Sequence, residues 1–292
     1  MGLMCSKFFN LAYDTVSFTV SFTKLAMMRN RILLFFVFVA LGAQAQKVKL
    51  PKSWKLIPGG EWTDRSGKKI EITPFYIFAT EITNQQYREF LFNLENSGQN
   101  ELLEKCSVQS ANWTNGNEMN APYAEYYHKH PAFNDYPVVN VTHEAAVQYC
   151  IFIEATFEKS FPGFDFHVRL PSESEWMFAA TGGNPHQTFA WAGSELKNKK
   201  GVFLANFRRG VQENIAGNLS EDLMAPSISY FPNAYKLYNM CGNVAEMIDT
   251  RGISKGGSYR SPPDMLKVSH REKYENSAIH IGFRPVLTYT KK

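Results

Sequence analysis

Only three stretches of this chain space their apolar residues as a buried helix face does, and the strand-like runs around them are short and unevenly placed. There is no regular alternation of strand and helix, so a parallel sheet with crossover helices is excluded. The helical patterns are a run beginning near Glu81, capped by Thr83 or Asn84, with Tyr87, Phe90, Leu91 and Leu94 on one face; a run capped by Thr142 with Ala146, Tyr149, Cys150, Ile153 and Phe157 on one face; and a run capped by Ser172 that stops at Gly182 and Gly183. Strands are expected at Ile70 to Ile72, Phe75 to Ala79, Phe166 to Leu170, Ile253 to Tyr259 and Ile281 to Val286.

One stretch stands out from this frame. Pro232 to Met247 reads P-N-A-Y-K-L-Y-N-M-C-G-N-V-A-E-M, with Asn239 seven residues ahead of Glu246 and Gly242 between them. Asn239 and Glu246 can present side-chain oxygens, and carbonyls near Gly242 and Val244 can turn inward if the glycine takes an unusual backbone angle. A hard cation such as calcium suits such a shell. The same letters also suit an ordinary glycine turn in which Glu246 is a surface acid or a cap partner.

The first 45 residues are of another kind. Met28-Arg29-Asn30-Arg31 is a short basic start, Ile32 to Gly42 an apolar run, and Ala43-Gln44-Ala45 has the small-x-small form that signal peptidase cuts. Residues 28–45 are therefore expected to be a signal peptide, with residues 1–27 an upstream start assigned too early and residues 46–292 the functional domain. The apolar run is short for a bilayer span, so no transmembrane anchor is expected. Without residues 1–45 the chain has 27 bases against 26 acids, which argues against a nucleic-acid face. Export to the periplasm, outer surface or medium is the expectation. Cys106, Cys150 and Cys241 remain, an odd number that allows at most one internal disulfide, with Cys150 expected as a small buried residue.

Residues Ser97 to Asn134 carry little pattern. Trp113, Tyr123, Tyr126 and Tyr127 could stack on a ligand or cover the core, and His128 and His130 are expected to be solvated.

Six segments in order, F-Y-I-F-A-T-E-I-T-N-Q-Q-Y from Phe75, P-V-V-N-V-T from Pro137, V-R-L-P-S-E-S-E-W from Val168, the stretch from Pro232, K-G-G-S-Y from Lys255 and I-G-F-R-P-V from Ile281, resemble the formylglycine-generating enzyme, or sulfatase-modifying factor, family. The resemblance implies a single, loop-rich α+β domain related to C-type lectins. It also implies structural calcium, with Asn239, Gly242, Val244 and Glu246 as one site and Asn206 and Phe207 beginning a second, for which Asp222 is the candidate acid.

The chain departs from the family where the chemistry lies. Family enzymes oxidise a substrate cysteine with copper held by two cysteines after the Gly-Gly-Ser motif, and the matching positions here are Ser261 and Leu266. Soft thiolates suit Cu(I) and are not easily replaced, so copper is not expected. Ser258 has no base or thiol near it in the motif. Glu175 and Arg284 match family positions and are expected to be buried partners that orient loops. The expected function is a non-catalytic binding or scaffolding module of the cell envelope that takes a protein or glycan ligand. The alternative is an oxidase or other enzyme acting through an unrecognised site. An open groove beside Ser258, Tyr259 and Ser261 would favour a ligand over a pure scaffold.

Overall fold

Four antiparallel strands form one layer of the molecule: β1 (Trp54–Ile57), β4 (Phe75–Phe78), β10 (Val286–Lys291) and β5 (Phe164–Arg169), in the order β1-β4-β10-β5. A computed structural model of the chain describes residues 48–64, 66–114, 121–209 and 223–292. The expected upstream segment and signal peptide lie outside the described residues. The chain divides into Met1–Lys49 and Leu50–Lys292, and the strands and helices all belong to the second unit.

The other sheets are smaller. β2 (Gly60–Thr63) and β3 (Lys69–Ile72) form a hairpin, and β6 (Ala245–Met247), β7 (Ile253–Lys255), β8 (Glu272–Lys273) and β9 (Ile281–Phe283) form a sheet ordered β8-β7-β6-β9, in which β6 and β9 run parallel. The single strand expected from Ile281 to Val286 is in fact two. Pro285 cannot donate to a ladder, so the chain leaves β9 at Arg284 and enters the first sheet at Val286, opposite Ile77 and Arg169. Arg284 is thereby held at the junction of two sheets.

The three helical patterns form where expected. α1 (Asn84–Asn96) begins with a capping box between Thr83 and Gln86 and buries Tyr87, Phe90 and Leu94. After the short α2 (Asn100–Cys106) and α3 (Ala121–Tyr126), α4 (His143–Ser160) is capped by Thr142, and α5 (Glu173–Ala180) by a box between Ser172 and Glu175. α1 and α4 meet through aromatic rings: Tyr87 stacks on Tyr149 at 5.9 Å, and Phe283 of β9 closes on both. Among the described residues no helix is long and apolar enough to cross a membrane.

For residues 97–134 one open alternative is decided and one expectation is overturned. Trp113 and Tyr127, with ring centroids 4.9 Å apart, are buried against Val139, Val244, Tyr259 and Ile279, so they cover the core; Tyr126 is left exposed. His128 is buried rather than solvated, because its Nδ1 meets Asn84 Oδ1 at 3.0 Å inside the fold, whereas His130 is exposed. Burial, with the nearby Arg88 charge, pushes His128 down to about 3. Cys106, Cys150 and Cys241 are all buried and unpaired.

Candidate functional site

The stretch from Pro232 to Met247 winds tightly because several of its residues take left-handed backbone angles: Lys236, Asn239, Gly242 and Asn243 all have φ between 54° and 81°. Asparagine tolerates this region and glycine favours it. Asn233 pins the start of the loop, donating from Nδ2 to the carbonyls of Ala179 and Ala180 at the end of α5 while its Oδ1 accepts from the amides of Tyr235 and Leu237. Gly242 is required twice over: its φ is 81°, and a Cβ there would meet the carbonyl oxygen of Asn206 at 2.3 Å. The two expected calcium segments therefore touch, and Asn243 N donates to the same Asn206 carbonyl at 2.8 Å.

Beneath the loop lies a buried box of charges. Arg284 forms a two-point pair with Glu246, Nε to Oε2 at 2.7 Å and Nη2 to Oε1 at 2.5 Å, and also donates to the carbonyls of Phe78 and Tyr238. Trp176 Nε1 donates to Glu246 Oε2 at 2.7 Å. Glu81, fully buried where β4 turns toward α1, accepts from Asn243 Nδ2 at 2.9 Å and Asn239 Nδ2 at 3.2 Å. Burial pushes Glu81 up to about 8; Arg284 opposes that rise and Glu246 adds to it.

Two carboxyl groups thus share one guanidinium: ionised together they would leave the box one positive charge short, and Glu81, raised to about 8, keeps its proton at neutral pH unless a cation comes near. Ser227 Oγ, buried beside it, has no hydrogen-bond partner, while the Ser227 carbonyl accepts from Asn239 Nδ2 at 3.1 Å. An ionised carboxylate offers about four lone-pair positions; on Glu246 three are taken. A buried acid that a nearby cation would ionise, an orphaned hydroxyl and amide and carbonyl oxygens fit a hard cation. No group of three His, Cys, Asp or Glu side chains is gathered among the described residues, so a thiolate or imidazole metal centre is not what these residues build. Asn206 and Phe207 are buried next to this box, and Asp222 lies outside the described residues.

The region after the Gly-Gly-Ser motif is packed. Ser261 Oγ accepts from Ser258 N at 2.9 Å and lies 3.1 Å from Ser258 Oγ, and Leu266 is wholly within the hydrophobic core. Glu175 forms a two-point pair with Arg169 at 2.7 Å and accepts from Ser172 N, so it fixes the turn into α5. Cys241 is buried, accepts from Ala190 N and is pushed up to about 12 by burial.

Beside this packed segment a polar cleft of about 890 Å³ opens, lined in part by Asn112, His143, Arg251, Arg260, Tyr274 and Ser277. Arg251 is paired with Glu144, whereas Arg260 makes no ion pair among the described residues. The Trp113 Nε1, Tyr274 hydroxyl and His280 Nδ1 at its wall are buried without partners. Such a cleft can hydrogen-bond a polar ligand through its accessible side chains, Arg260 among them.

Sequence reasoning missed Glu81 and the Trp176 contact. The available signal was a carboxylate ending the apolar run Phe75 to Thr80, where a buried acid needs partners.

The sequence matches the sulfatase-modifying factor enzyme 1-like domain over residues 39–289. It is 26% identical over 274 residues to the formylglycine-generating enzyme of Bos taurus, an alignment covering 74% of this chain and 66% of that protein. It is 25% identical over 216 residues to the inactive C-alpha-formylglycine-generating enzyme 2 of Bos taurus, covering 65% and 64%. The chain thus spans slightly less than two thirds of the length of these relatives. Among solved structures, CarF aligns with a TM-score of 0.54 at 20% identity, covering 82% of this chain and 98% of that one, a likeness of fold.

Proposed function

This chain belongs to the sulfatase-modifying factor family, and we propose that within it the protein is an exported, non-catalytic binding module that holds a polar protein or glycan ligand in the cleft beside Arg260. The observation that carries this reading is the contrast between two neighbours. The positions matching the family's thiols hold Ser261, tied to Ser258, and Leu266, sealed in the core, while the adjoining cleft is open, polar-lined and carries the exposed Arg260, which makes no ion pair among the described residues. A relative whose name describes it as inactive supports loss of chemistry within the family.

The test pairs two measurements on purified protein. With copper and a cysteine-containing peptide, no oxygen consumption is expected; consumption would restore the oxidase alternative. Against arrays of peptides and glycans, retained binding that Arg260→Gln weakens tenfold supports the module. No retained ligand, or binding indifferent to Arg260, refutes the cleft as its site.

The loop is proposed to hold structural calcium, through Asn239, Glu246 and the carbonyls of Gly242 and Val244, with a second ion at Asn206 and Phe207. The buried Glu81, which has no cation of its own while Arg284 is paired with Glu246, and the orphaned Ser227 hydroxyl support this. Bound calcium would supply fixed positive charge there and no chemistry. Calcium added back after chelation is expected to raise the melting temperature, and Glu246→Ala to abolish the rise.

A further inference from the structure

An asparagine amide can present oxygen or nitrogen to a neighbour, and its other partners decide which. Both nitrogen hydrogens of Asn239 are spent, on Glu81 Oε2 at 3.2 Å and the Ser227 carbonyl at 3.1 Å, so its Oδ1 is left without a donor among the described residues. The same holds one step further on. Glu81 Oε1 accepts from Asn243 Nδ2 at 2.9 Å, which turns Asn243 Oδ1 the other way, where it accepts from Ala225 N at 2.7 Å and Asn206 Nδ2 at 3.4 Å. Asn206 Nδ2 also donates to the Leu223 carbonyl at 3.0 Å, so Asn206 Oδ1 too is without a donor among the described residues. Glu81 thus joins the Ser227 carbonyl, the Ala225 amide and the Leu223 carbonyl in setting the direction of two asparagine oxygens, directly for Asn239 and through Asn243 for Asn206.

We infer that Glu81 is the positioning residue for both cation-binding segments: by accepting the amide hydrogens of Asn239 and Asn243 it forces Asn239 and Asn206 to offer oxygen to a hard divalent cation. The inference rests on the calcium reading of the loop. A cation bound nearby ionises Glu81, and a carboxylate suits the task because it accepts at both oxygens and donates at neither. Partners of this kind behind a ligand commonly govern affinity by 10–100-fold. Glutamine would fail in a definite way. It has one accepting oxygen for two amides, so either Asn239 or Asn243 must reverse and one segment must present nitrogen to the ion. Without a cation the raised Glu81 is neutral at pH 7, as glutamine is, so Glu81→Gln is expected to fold without calcium about as well as the parent protein.

The experiment titrates calcium into chelator-treated parent protein, Glu81→Gln and Asn243→Gly by calorimetry, with melting curves in chelator alongside. Asn243 has φ 65°, so glycine enters there without backbone strain. The expected result is two ions bound by the parent, at least tenfold weaker binding at one or both sites in Glu81→Gln with no fall in its melting point in chelator, and loss of only one site in Asn243→Gly. Should Glu81→Gln fail to fold, the loss of a single site in Asn243→Gly decides the matter. Parental affinity and stoichiometry in both variants would overturn the role of Glu81 while leaving the calcium loop intact. A parent protein that binds no calcium would instead overturn the calcium reading itself.

Discussion

His128 sets a pH limit on stability that can be measured directly. Its ring is buried between α3 and the start of α1, with Nδ1 on Asn84 Oδ1, Nε2 without a partner and the Arg88 guanidinium donating to its own carbonyl. Desolvation and the Arg88 charge lower its folded value to about 3, from 6.5 for an unperturbed side chain. Because the folded value is depressed, the unfolded chain binds the proton first as pH falls. Stability from this group is therefore complete above 6.5 and is lost progressively as pH drops toward 3. Between pH 7 and pH 5 the linkage amounts to about 2 kcal/mol, which for a domain of this size is roughly 4–8 °C in melting temperature. The assay is urea or thermal unfolding at both pH values for the parent and for His128→Gln, whose amide can still donate to Asn84. Comparing the two cancels every other titrating group. If both proteins lose the same stability between pH 7 and pH 5, His128 is not buried as a neutral ring and the reasoning fails.

Arg284→Met is expected to cost about 3–5 kcal/mol, because it strands the buried carboxylates of Glu81 and Glu246; denaturant unfolding near the parental midpoint would contradict the charge box. Gly242→Ala should destabilise far more than Gly67→Ala: both have positive φ, but only at Gly242 does the new Cβ strike a backbone atom, whereas at Gly67 nothing lies within 4 Å. Equal urea midpoints for the two variants would refute the close approach at Asn206. Cys106, Cys150 and Cys241 should resist a thiol reagent in the native protein and react fully after unfolding, since burial raises each of them, Cys106 to about 11 and Cys241 to about 12. Rapid native labelling of any of the three would show the core to be open there.

What was legible in the sequence was local or carried by ordered motifs. The caps at Thr83, Thr142 and Ser172 start helices because each hydroxyl reaches an amide three residues on, and spacing alone reveals that. The six motifs in order carried the family, whose match covers residues 39–289. The turn at Gly242 announced itself by residue type, though not the Asn206 carbonyl it must clear. Other features were decided only when distant segments met. Glu81 is bonded to Asn243, 162 positions away, and Trp176 to Glu246, 70 positions away. The fates of Trp113 and Tyr127 were open in the sequence because an aromatic ring is equally suited to a ligand platform and a core, and only the packing of Val139, Val244 and Ile279 settles which. His128, expected in solvent, is buried because Asn84, distant in sequence, meets its ring. The sequence pattern runs one strand through Pro285; the break there, with Arg284 held between two sheets beside two carboxyl groups, belongs to the tertiary structure. Residue types determine which partners a side chain needs; the fold determines which of them it meets, because those contacts join segments that nothing in the linear order relates.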